Sequence, residues 1–144
     1  MPEATSEYRK PLPEPTELSQ PFWDGTKLGR LLIQRCGDCG HYWWTPQLAC
    51  PICLTENWAW TDVSGRGAVY SFTIVHRAPD PVAFADDVPY VVAVVQLDEG
   101  PHMLTNVIGC PTEQVYVEMP VEVSFEKATE EITLYKFRPV GKTA

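Results

Sequence analysis

Two cysteine pairs, Cys36-x-x-Cys39 and Cys50-x-x-Cys53, are the residues best suited to chemistry in this chain. Each pair sets two thiolates on one tight turn, and two such turns facing each other form a tetrahedral sulfur cage. Gly37 and Gly40 loosen the backbone around the first turn, and Pro51 stiffens the second. The ten residues from Gly40 to Ala49 are a shorter gap than zinc sites commonly show, but a hairpin of that length returns the chain to the metal. Closed four-cysteine cages in short ribbons hold structural zinc more often than iron, so Zn2+ is expected as a staple. A rubredoxin-like iron for electron transfer and a redox dithiol are the alternatives. His41 is a fifth candidate ligand, but with four cysteines available it reads as a surface residue. Cys110 has no pair partner and reads as a buried free thiol.

Nothing else in the chain assembles into catalytic machinery. The three histidines, His41, His76 and His102, lie in no nucleophile, phosphate-loop or dinucleotide motif. Asp86-Asp87 and Asp98-Glu99 are adjacent carboxylates of the kind found in solvated turns. No catalytic residue is expected.

The elements that must position the cage follow from the rest of the sequence. With 144 residues, the chain is long enough for one compact domain or two small ones, at about 150 residues per domain. Met1 to Pro15 is Pro-interrupted and aperiodic, so it is expected to be an unstructured tail. Residues 16–29 should form a short helical segment, with Thr16 as N-cap, Leu18 and Phe22 on one face, and Gly25 as the stop. Residues 30–63 should form the ribbon, entered by a strand from Arg30 to Arg35 and closed by Trp58-Ala59-Trp60. Residues 64–140 read as five strands: Gly67 to His76, Tyr90 to Leu97, His102 to Ile108, Val121 to Lys127, and Ile132 to Arg138. Tyr70, Phe72 and Ile74 should share one face of the first, and Val121, Val123 and Phe125 one face of the fourth. Tyr90 to Val95 is apolar on both faces, as in a strand covered on both sides. Five short strands with this punctuation fit a small OB-type barrel, making the fold mainly β. Arg77 to Val88 is long for a link between neighbouring strands, and Phe84 at its centre either serves a functional loop or plugs the barrel.

Charge and aromatic content are unevenly placed. The net charge is −8, and no Lys or Arg lies between Arg77 and Lys127. An acidic barrel repels polyanions, which argues against the single-stranded nucleic-acid module that ribbons and OB barrels otherwise suggest. Lys27, Arg30, Arg35, Arg66 and Arg77 cluster in sequence around the ribbon and its junction with the barrel, where a phosphorylated ligand should go. All five tryptophans precede Gly67, and a small ribbon has little core to bury them, so this half is expected to dock on another protein. The longest mostly apolar run, Val88 to Val95, is far short of the roughly 20 residues that span a bilayer. The N-terminus carries charges and no apolar core, so no secretory signal is expected and the cytoplasm is the default compartment.

The chain resembles a known family through an ordered set of motifs. These are Phe22-Trp23, Gly29, Gln34-Arg35-Cys36-x-x-Cys39-Gly40, Pro46, Cys50-Pro51-x-Cys53, Trp60, Ser64 to Thr73, Pro89 to Val94, and Phe137-Arg138-Pro139. Together they resemble the acyl-CoA-associated zinc-ribbon/OB-fold family, long catalogued as a domain of unknown function. The resemblance implies an N-terminal helix, a rubredoxin-like ribbon and an OB barrel. It also implies a non-catalytic subunit that partners thiolases or the thiolase-like aldolases of steroid side-chain removal, as a heterotetramer with two copies of each chain. In such assemblies the OB domain helps to hold or channel the acyl-CoA thioester. On this basis Arg66, Arg77 and Phe84 are the candidate CoA contacts. Phe22, Trp23, Trp43, Trp44 and Phe84 are the candidate partner interface.

Overall fold

The computed structural model describes residues 10–141. Of the expected tail, residues 1–9 lie outside the described residues. Residues 10–15 hold no helix or strand, yet Lys10 pairs with Asp87 at 2.8 Å.

Helix α1 spans Gln20–Lys27. It starts later than the sequence suggested because Thr16 and Ser19 close a separate turn first, with the Ser19 N–H donating to Thr16 Oγ1 at 3.1 Å. Pro21 falls in the first turn, where a missing N–H costs no helical bond. Gly25 is not the stop. It is buried against Leu32, where a Cβ would come within 3.0 Å of Leu32 Cδ1. The helix ends instead at Gly29, whose φ of 74° lets the chain turn so that the Arg30 N–H reaches Gly25 O at 2.9 Å.

The ribbon is a three-stranded sheet in the order β2-β1-β3, built from β1 (Leu32–Cys36), β2 (Tyr42–Trp43) and β3 (Trp58–Asp62). The rest is a closed barrel of β4 (Arg66–Val75), β5 (Tyr90–Leu97), β6 (His102–Val107), β7 (Pro120–Lys127) and β8 (Thr133–Pro139). Strand order around it is β4-β5-β6-β8-β7, with β6 and β8 parallel and the other neighbours antiparallel. The fold is therefore mainly β, with one short helix, a ribbon and a five-stranded OB barrel.

Alternation places Val91, Ala93, Val95 and Leu97 of β5 inside the barrel with Met103, Val121 and Phe137. Tyr90, Val92 and Val94 are half-buried on the outside, so β5 is not covered on both faces. A closed barrel has one interior, and its outer rows need only partial cover. In β4 a bulge between Val69 and Ser71 breaks the simple period. Val69 takes the core position, and Tyr70, 56% exposed, turns out to meet the His102 ring at 4.4 Å. Phe72 and Ile74 remain on the core side, as do Val123 and Phe125 of β7.

Trp23, Trp44 and Trp60 join these parts, while Trp43 and Trp58 pack within the ribbon. Phe22 is 0% exposed and contacts Trp44 at 4.4 Å, Trp23 at 4.9 Å and Tyr135 of β8 at 5.6 Å between ring centroids. Helix, ribbon and barrel thus share one aromatic seam. No helix among the described residues is long and apolar enough to cross a membrane.

Candidate metal centre

Cys36 ends β1 and Cys39 follows one turn later, while Cys50 and Cys53 form a matching turn before β3. The four Sγ atoms all lie within 4.8 Å of one another. Cys36 Sγ is 3.5 Å from Cys53 Sγ, and Cys39 Sγ is 3.7 Å from Cys50 Sγ. A tetrahedral ion bound to sulfur at about 2.3 Å holds its ligands about 3.8 Å apart, so the cage fits such an ion. Among the described residues, no histidine or carboxylate joins this cluster. His41 instead stacks on Trp43, with centroids 6.3 Å apart and planes 19° from parallel.

The two turns repeat the same local construction. The Gly40 N–H donates to Cys36 O at 3.1 Å, and the Leu54 N–H donates to Cys50 O at 2.9 Å. Both closing residues are left-handed, Gly40 with φ 78° and Leu54 with φ 68°. Backbone donors point at sulfur: the N–H groups of Asp38 and Cys39 reach Cys36 Sγ, both at 3.3 Å, and that of Ile52 reaches Cys50 Sγ at 3.4 Å. These donors stabilise thiolate charge. The N–H groups of Cys39 first, then Asp38, draw Cys36 down to about 7. Cys53 has the Thr55 N–H favouring its thiolate, but Cys36 and burial push it up to about 12. Each thiolate thus raises the cost of the next, a conflict that a divalent cation at the centre removes.

One positioning residue was not identified from the sequence. Gln34 of β1 is fully buried, and its amide bonds Gln47 twice: Nε2 donates to Gln47 O at 2.8 Å, and Oε1 accepts from Gln47 N at 2.9 Å. This pair ties the strand before the first turn to the loop that returns the chain for the second. Its signal was a lone amide in the run Leu31-Leu32-Ile33-Gln34.

The other predicted site residues do not converge. Phe22 and Trp43, at 0% and 4% exposure, offer no surface to a partner, because the aromatic seam and the ribbon core enclose them. Trp23 and Trp44 are half-buried in the same seam. Arg66 opens β4 and Arg77 lies two residues past its end, both exposed. Arg30 is held by Asp62, with Nη2 2.6 Å from Oδ2, and Arg35 lies over the Tyr42 ring at 5.0 Å. Phe84 stacks on Tyr90 at 5.7 Å and lines a cleft of about 370 Å³ at the barrel end away from Arg66. Cys110 is half-buried at the edge of that cleft, not in the core as expected, because it follows β6 in the connecting loop.

Comparison with known proteins places this architecture. Residues 23–59 match the family model described as "ChsH2, rubredoxin-like zinc ribbon domain", and residues 60–126 match "ChsH2, C-terminal OB-fold domain". The chain belongs to the DUF35 family of ribbon/OB proteins. It is 34% identical to a DUF35 domain-containing scaffold protein of Methanocaldococcus jannaschii, over 76% of this chain and 82% of that one. It is 39% identical to a "Probable enoyl-CoA hydratase alpha subunit" of Thermomonospora curvata, over 82% of this chain and 36% of the relative. It is 38% identical to a 3-oxo-4,17-pregnadiene-20-carboxyl-CoA hydratase alpha subunit of Mycobacterium tuberculosis, over 72% and 32%. The chain therefore spans about a third of the length of those hydratase subunits. Among solved structures, a chain of an "Ltp2-ChsH2(DUF35) aldolase" superposes with a TM-score of 0.79 at 35% identity, covering 89% of this chain and 98% of that chain.

Proposed function

We propose that this DUF35 chain is a non-catalytic accessory subunit of a thiolase-superfamily enzyme acting on acyl-CoA thioesters, either a steroid side-chain aldolase or a thiolase. The observation that carries the reading is the end-to-end likeness to a DUF35 chain from an aldolase assembly. The architecture is consistent with it: one aromatic seam joins helix, ribbon and barrel. In this reading the cage holds zinc, which staples two turns whose own apolar core is small. The partner carries the chemistry, and this chain stabilises it and helps to hold the CoA thioester. Arg66, exposed where ribbon meets barrel, and Arg77 and Phe84, at and beyond the other end of β4, are the residues proposed to meet CoA.

The test is turnover of an acyl-CoA thioester by the chain alone, by a thiolase-fold enzyme of the same organism alone, and by the two together. The mixture is expected to be more active or more durable than the enzyme alone, with no turnover by this chain. Arg66→Met should raise the KM of the mixture without lowering kcat. Turnover by the isolated chain would contradict the proposal. Metal analysis should find one zinc per colourless chain, whereas a red iron protein would favour electron transfer.

A further inference from the structure

The cleft at the far end of the barrel has a composition that the accessory role does not explain. Lys136 of β8 lines it half-buried, and its ammonium donates to Asn106 Oδ1 at 2.7 Å. Asn106 is itself locked, because its Nδ2 donates to Val91 O at 2.8 Å and so turns its oxygen to the lysine. Lys136 forms no ion pair among the described residues. Two carboxylates share the cleft. Asp87 is taken by Lys10 at 2.8 Å, and Glu126 is solvent-exposed and acts on Lys136 only at longer range. Burial first, and then Lys10, hold the Lys136 ammonium below the ordinary lysine range, while Glu126 and Asp87 oppose them. A half-buried cation with one neutral partner gains from an anion in contact. Beside it Phe84 and Tyr90 stack 24° from parallel, with Lys10 Nζ 6.0 Å from the Phe84 centroid, and the two rings supply the aromatic part of the lining.

We propose that this cleft binds a small monocarboxylate with a flat apolar body, its carboxylate on Lys136 and Asn106 and its ring system against Phe84 and Tyr90. Charge decides for a carboxylate over a phosphate. Lys10 and Lys136 stand against Asp87 and Glu126 in the lining, so a monoanion adds one negative charge to a balanced cleft and a dianion two, in a chain of net charge −8. Size decides for one or two rings, since about 370 Å³ is at the small end of ligand sites.

The test uses the whole metal-loaded chain and 2-naphthoate in titration calorimetry, with 2-naphthyl phosphate and the neutral naphthalenemethanol as comparisons. Saturable binding is expected, strongest for the carboxylate. Lys136→Met should weaken it about tenfold or more, the loss expected when a charged hydrogen bond is removed. Phe84→Leu should weaken it less. In the unmodified chain, NMR should show the Asn106 side-chain amide moving on titration, a readout that needs no variant to fold. No saturable binding at millimolar ligand, no movement of Asn106, equal binding to a folded Lys136→Met chain, or tighter binding of the phosphate would each overturn the proposal. Binding is read on the isolated chain, so it stands or falls independently of any partner enzyme.

Discussion

Gln34 and Asp62 show how single side chains support the cage from outside it. Gln34 bonds both backbone groups of Gln47 through part-buried contacts, so Gln34→Leu removes two hydrogen bonds that hold the return loop. The expected cost is about 2 kcal/mol, read as a lowered urea midpoint at unchanged m-value. An unchanged midpoint would mean that the pair does not order the return loop. Asp62, at the end of β3, accepts from Arg30 Nη2 and Nε, and that guanidinium holds its carboxyl below the usual range. A depressed carboxyl favours the folded state above its unfolded pKa, and the benefit is lost as pH falls through the folded value. The Arg30–Asp62 bridge is thus intact at neutral pH and released in acid. In Arg30→Met the Asp62 titration followed by NMR should move up toward that of an ordinary carboxylate. A titration that stays put would assign the shift to another cause.

At the scale of elements, the cage and the barrel should separate on metal removal. The ribbon's own buried cluster holds only Cys36, Trp43 and Cys50 with Trp58 against it, whereas the barrel closes on Val69, Val95, Met103, Val121 and Phe137. Chelation at neutral pH, or protonation of the thiolates in mild acid, is expected to release amide protection over residues 32–62 first and to leave β4 to β8 protected. Ribbon amides that stay protected without metal would show that packing alone orders the turns. The barrel strands were legible in the sequence to within about a residue because alternation and turn residues encode them locally. The cage was legible for the same reason, since each turn carries its own pair of cysteines. The β4 bulge was not, because an inserted residue leaves no mark on a period-two pattern until its partner strand is known. β2 is two residues long and has no period at all. Composition put the tryptophans in one half of the chain, but their inward direction is set by α1 and Tyr135, a tertiary fact. The Lys136 cleft escaped notice because its walls come from β5, β6, β8 and the 77–89 loop, far apart in the chain.

Taken as a whole, the molecule is an OB barrel joined through Phe22, Trp44 and Tyr135 to a ribbon that carries a four-cysteine cage, in a chain of net charge −8. Trp23, Trp44 and Trp60 pack on that junction and Trp43 and Trp58 in the ribbon, so the tryptophans are at most half-exposed. Exposed apolar side chains such as Leu48, Ile52 and Leu54 on the second turn, or Tyr70 and Leu104 on the barrel, are available to a partner. The central claim concerns assembly, and mass in solution tests it most directly. Co-expressed with a thiolase-fold enzyme of the same organism and measured by size-exclusion chromatography with light scattering, the two chains should elute as one species of two copies of each. Elution of this chain alone at its monomer mass of 16.2 kDa, with the enzyme in a separate peak, would contradict the claim.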